Sequence, residues 1–115
     1  MIMKKRIKNR SLLTRPIKII SKKSRKHLGN IVDINTGGMC IISKYQLPSN
    51  QTLQLLIDLT EEDLPFNEIE LEAKNVWIKE EMVNRYFAGM KFENSSKEAK
   101  NILLKQLIKH LGYPA

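Results

Sequence analysis

Ile69-Glu-Leu-Glu-Ala-Lys-Asn-Val-Trp-Ile78 alternates apolar and charged side chains for three repeats before the alternation breaks at Asn75. A period of two puts successive side chains on opposite faces, the pattern of a strand with one face buried and the other in water. Ile69, Leu71 and Ala73 therefore face a core, and Glu70, Glu72 and Lys74 face solvent. The apolar run continues through Val76-Trp77-Ile78, which predicts one long strand interrupted near Asn75. Upstream, past the turn signal Pro48-Ser49-Asn50, Leu53, Leu55, Ile57 and Leu59 alternate with Gln54, Leu56 and Asp58 in a second strand of the same kind. Downstream, residues 86–92 supply another.

Outward from this centre the same pattern recurs. Ile17 and Ile19 flank Lys18 in a half-buried strand over residues 15–24, with Pro16 tolerated near its start. Residues 27–34 and 39–43 read as strands on either side of a corner containing Gly37-Gly38, glycines expected there for a positive φ. Six or seven short antiparallel strands predict a small closed or nearly closed β-barrel, because closure buries one face and removes the sheet edges. The last segment changes period. Ser95-Ser-Lys-Glu98 is a capping box, and Ala99, Ile102, Leu103, Gln106, Leu107, His110 and Leu111 fall on one helical stripe, expected to lie on the barrel, before Gly112 and Pro114 stop the helix.

At 115 residues the chain has room for one core. We expect a basic, flexible N-terminal arm over residues 1–13 and a barrel domain with its C-terminal helix over 14–115. The net charge of +8 is uneven: eleven of the twenty Lys and Arg residues precede residue 27, before the first acidic residue, Asp33. Such an arm attracts polyanions of any kind, so charge alone does not separate a nucleotide from nucleic acid or a membrane surface. Nucleic acid is the weaker reading, since seven aromatics, mostly at expected core positions, leave few for base stacking. The run of carboxylates from Glu61 to Glu81 suits a solvent-facing strand, and no nucleophile with a base, metal-ligand cluster or phosphate-binding loop is legible. A binding module rather than an enzyme is expected, with no metal. No apolar run is long enough to span a bilayer, and the single Cys40, read as a small buried hydrophobe, suits a reducing cytoplasm.

Two short patterns carry the chemistry. Arg6-Ile-Lys-Asn-Arg10 presents two guanidinium forks that can meet phosphate oxygens, or the edge or face of guanine. Asp33-Ile-Asn-Thr-Gly-Gly38 supplies an acceptor for a purine's N1 and N2 donors, a second polar side chain at Asn35, and glycines that allow close backbone approach. The bland alternatives are a solvated basic tail and an ordinary turn. Trp77, Met90 and Phe92 read as core, and His27 and His110 as surface groups.

In order and spacing these two patterns resemble the paired signature of the PilZ domain, Arg-x-x-x-Arg followed by Asp/Asn-x-Ser-x-x-Gly. Arg6 and Arg10 match the arginines, Lys5 stands where many members have a further Arg, Asp33 and Gly38 match the ends of the second motif, and Asn35 replaces its Ser. Val76-Trp77, Gly89-Met-Lys-Phe92 and the terminal helix extend the resemblance over almost the whole chain. It implies a cytoplasmic receptor for cyclic di-GMP that regulates motility or biofilm formation through a downstream protein partner. The ligand-binding residues it implies are Lys5, Arg6, Arg10, Asp33, Asn35 and Gly38. Two other readings stay open: a PilZ-like interaction protein of a pilus or motility complex that binds no ligand, and a small-barrel nucleic-acid binder.

Overall fold

The computed structural model describes residues 16–93 and 98–112. Six antiparallel strands close into a barrel in the order β1-β2-β3-β6-β5-β4, where β1 is Lys18–Ser21, β2 His27–Ile34, β3 Gly38–Ser43, β4 Thr52–Asp58, β5 Glu68–Met82 and β6 Arg85–Glu93. One helix, α1, follows at Glu98–His110. The expected barrel class holds, with six strands. The four-residue β1 closes it by pairing Ile19 with Gly29 on one side and with Ile57 on the other. The arm and the capping box at 95–98 lie outside the described residues or side chains.

Alternation sets the core. Leu55, Ile57, Ile69, Leu71 and Ala73 point inward from β4 and β5 and meet Ile19, Ile41, Ala88, Met90 and Phe92. Glu68, Glu70 and Glu72 take the outer face, where Lys22 bonds Glu70. Of the four register shifts in the barrel, two shape the site, one in β2 between Ile31 and Asp33 and one in β5 between Asn75 and Trp77. Each inserts an unpaired residue and reverses the inside–outside phase beyond it. The first lets Ile31 and Ile34, three positions apart, both reach the core. The second is the interruption expected near Asn75. Asn75 is itself fully buried and donates through Nδ2 to the carbonyls of Leu47 (3.2 Å) and Pro48 (3.3 Å), which ties the loop before β4 to the barrel.

The helix packs on the core, but its buried stripe is rotated from the one expected. Leu104, Leu107 and Ile108 are buried, Leu103 and Leu111 are partly so, and Ile102 is half exposed. The stripe drawn through Ile102 and Gln106 placed the polar Gln106 inside. The i, i+3, i+4 set Leu104, Leu107, Ile108, Leu111 buries an all-apolar face instead. His110, expected as a surface group, bonds Glu62 at 3.0 Å, and the Glu62 side chain is only 3% exposed. Glu62 is thus an exception to the solvent-facing carboxylates: it joins the β4–β5 loop to the helix.

Candidate functional site

The corner between β2 and β3 is built on hydrogen bonds to a side chain. Asn35 Oδ1 accepts from the amides of Gly37 (2.8 Å) and Gly38 (2.9 Å), and the Asn35 amide closes the turn by donating to the Gly38 carbonyl at 2.9 Å. Two amide donors identify the atom they meet as the side-chain oxygen, which directs the Nδ2 amide out of the turn. Asn35 is exposed, so this NH2 is available to a ligand. The turn contacts therefore occupy the oxygen end of the Asn35 side chain and leave its amide end facing solvent.

The two glycines do not take the positive φ that an ordinary turn role would use. Among the described residues positive φ occurs at Arg25, Asn50, Asn84 and Gly112, so neither Gly37 nor Gly38 adopts it. Gly38 is required by close approach: a Cβ there would overlap the Met90 carbonyl of the neighbouring strand. The turn is held to β6 by the Phe92 amide, which donates to the Gly37 carbonyl at 2.9 Å.

Beyond the turn, register lines up a row across four strands. Asp33 in β2 pairs with Cys40 in β3, Cys40 with Gly89 in β6, and Gly89 with Trp77 in β5. At about 4.8 Å per strand the row spans about 14 Å, the scale of a nucleotide. Its middle members are small, so the floor is low between a carboxylate at one end and an indole at the other. A Cβ on Gly89 would overlap Nε1, Cε2 and Cδ1 of Trp77, so the indole lies against the bare glycine. A cavity of about 310 Å³ opens over this row, lined by Asp33, Asn35, Gly38, Cys40, Trp77 and Lys91 among others.

Trp77 corrects an expectation. It is 47% exposed and lines the cavity, whereas Met90 and Phe92 are core residues as predicted, at 4% and 5%. Without the β5 bulge the pairing Asn75 with Met90 would carry Trp77 opposite Ala88, on the inner face. The extra residue, Val76, turns it outward onto Gly89. The trace of this in the sequence is the broken alternation at Asn75, which marks a change of phase without fixing the side that Trp77 takes. Cys40 is buried at 6% and in no disulfide, and it forms the floor of the row rather than part of the inner core cluster. Asp33 is 8% exposed. Lys91, missed in the sequence, adds an exposed cation at the rim. The structure therefore brings Asp33, Asn35 and Gly38 together. Lys5, Arg6 and Arg10 lie outside the described residues.

Among the described residues no group of three or more His, Cys, Asp or Glu could hold a metal, and no helix is long and apolar enough to cross a membrane. A closed barrel with a shallow polar corner on its outer wall defines a binding domain of the small-barrel class. The chain belongs to the PilZ domain family, whose model matches residues 4–109 and so includes both sequence patterns. PilZ domains are receptor and adaptor domains, and the family is one of cyclic di-GMP receptors. No curated protein matches the chain. Among solved structures, it is similar to the Bacillus subtilis inhibitor of motility, MotI/DgrA, with TM-score 0.59 and 20% identity over 82% of this chain and 45% of that one. The likeness is one of fold, and this chain spans less than half the length of that protein.

Proposed function

We propose that this domain is a receptor for cyclic di-GMP, held over the row from Asp33 to Trp77. The observation that carries the reading is the pairing of an acceptor, the Asp33 carboxylate, with an outward donor, Asn35 Nδ2, beside the same low floor. A guanine edge offers N1 and N2 donors next to the O6 acceptor, which is the complement of that pair. Trp77 gives the base an apolar surface to stack on. Gly38 keeps the approach open, and Lys91 adds positive charge at the rim. Arg6 and Arg10, with Lys5, clamp the phosphates from the N-terminal segment 1–13, which adjoins the barrel domain 14–115.

On this reading two phosphates neutralise a segment that is otherwise strongly basic, and the surface offered to a protein partner changes with ligand. A cytoplasmic role in controlling motility or biofilm formation fits that output, and the name of the similar structure, an inhibitor of motility, points the same way.

The test is calorimetric titration of the full chain with cyclic di-GMP at near-physiological salt, with GTP and a short oligonucleotide as controls. Selective binding at low micromolar Kd or tighter, lost in Arg10→Ala and weakened about tenfold in Trp77→Ala, is the expected result. A folded protein that binds none of the three would overturn the receptor reading and leave a PilZ interaction domain.

A further inference from the structure

A second and larger concavity, about 530 Å³, opens at the opposite ends of β2, β3 and β6 from the Asp33 corner. Lys26, Lys44 and Arg85 line it, and among the described residues no Asp or Glu does. All three cations are exposed. Lys26 Nζ sits 3.9 Å from the centroid of the Tyr45 ring, so one face of that ring in the lining is already covered. The His27 ring is engaged too, with Nε2 at 3.0 Å from the Gly29 carbonyl and 2.9 Å from Asn30 Oδ1.

The rim adds an apolar element that the fold does not require. At the tip of the β5–β6 hairpin Met82 is 56% exposed and Val83 is 82% exposed, and both line the concavity. A β-branched residue is a poor choice for a hairpin tip, where Gly, Asn and Asp are favoured, and at this exposure it adds almost nothing to the core. Cations around a hollow with an apolar lip are the composition of a protein-binding surface.

We propose that this concavity docks an acidic segment of a partner protein, its carboxylates meeting Arg85, Lys44 and Lys26 and an apolar side chain seating on Met82 and Val83. Charge complementarity selects the occupant: a lining of positive side chains without a carboxylate attracts anionic groups, and the guanidinium fork of Arg85 suits a carboxylate bidentately. A nucleic acid would use exposed rings for stacking, and it would gain nothing from Met82 and Val83. The proposal does not depend on what fills the Asp33 corner.

The probe is a short labelled peptide in which Glu alternates with Leu, titrated into the full chain with its Gln-for-Glu counterpart alongside and amide NMR spectra to locate it. Binding of the Glu peptide should shift the amides of Lys44, Val83 and Arg85, leave the Asp33 corner unchanged and weaken with added salt. Arg85→Glu should reduce affinity about tenfold or more, and Lys44→Glu, outside any strand, provides the same readout if Arg85→Glu fails to fold. The proposal is overturned by no binding, by equal binding of the Gln peptide, or by unchanged affinity in the folded charge-reversal variant. Displacement by an oligonucleotide at equal concentration, or burial of Val83 in a dimer of this chain, would overturn it as well.

Discussion

Two connections at the same end of the barrel invite opposite readings in the sequence. The β2–β3 turn, residues 35–37, lies within the Asp33–Gly38 pattern read as a candidate site, and the β4–β5 loop, residues 59–67, belongs to a run of carboxylates read as solvent-facing. The structure ties the loop to the helix and divides the turn's central side chain between two tasks. The loop is closed by the Leu59 amide donating to the Asn67 carbonyl at 2.8 Å, and its Glu62 turns inward to His110 on the helix. The turn spends one end of Asn35 on its own backbone and shows the other end to solvent. A polar side chain is available for recognition only to the extent that the fold leaves its donors and acceptors unspent, and residue type alone does not reveal that.

If the turn's shape comes from close backbone approach, its most sensitive position is Gly38. Gly38→Ala forces a Cβ into the Met90 carbonyl, so β3 and β6 must part. The expected cost is about 3 kcal/mol by denaturant unfolding, the upper end for overpacking, with ligand binding lost in parallel. A variant as stable as the parent would mean that the turn is as pliant as an ordinary loop. For the β4–β5 loop, Glu62→Ala removes the partner of His110 and should cost about 1 to 2 kcal/mol, with faster amide exchange in α1 from Leu104 to His110. No change in either would return Glu62 to the solvated carboxylates and erase the contrast.

Much of the barrel was legible because alternation in the strands is a direct image of burial. Ile69, Leu71 and Ala73 faced inward as their spacing required, and the corner at residues 33–38 fell between its two strands. What failed did so where phase changes. Trp77 was misplaced because a single bulged residue reverses sides, and sequence shows a break in period without saying which way the chain recovers. The helix stripe failed for a related reason: Leu103, Leu104, Leu107 and Ile108 are crowded enough to support more than one apolar arc, and only the barrel they meet selects among them. The roles of Glu62 and Lys91 depend on neighbours distant in sequence, which no local pattern encodes.

Asn35 tests the divided side chain with a smaller effect. Asn35→Ala leaves the Gly37 and Gly38 amides without their acceptor and should cost about 1 kcal/mol, in line with other losses of a side-chain cap. Asn35→Ser keeps an oxygen within reach of those amides and should stay within about 0.5 kcal/mol of the parent. On the proposed function the alanine variant also binds cyclic di-GMP more weakly, through loss of the outward donor. Equal affinity in the alanine variant would assign Asn35 to the turn alone.

The smallest expected effect comes from a second side chain of this kind, Asp58 at the end of β4. Its carboxylate accepts from the Thr60 amide at 3.0 Å and the Thr60 hydroxyl at 2.8 Å, repeating at the start of the acidic loop what Asn35 does in the turn. Those bonds, the amide first and then the hydroxyl, hold Asp58 below the usual aspartate range, with Lys18 adding a weaker attraction and burial opposing them. A pKa lowered on folding means that the unfolded chain binds the proton more readily. The stabilisation is therefore complete above the unfolded-state pKa and is lost as pH falls through the folded one. Because Asp58 is near the surface the gain should stay below about 1 kcal/mol. Asp58→Asn, which keeps the acceptor without the charge, should flatten that part of the acid limb in urea titrations at stepped pH. Asn35→Ala, with no titrating group, should lower the whole curve without changing its shape. If Asp58→Asn instead shifts the curve uniformly, its charge is irrelevant, and the β4 exit is held, like the β2 exit, by hydrogen-bond geometry alone.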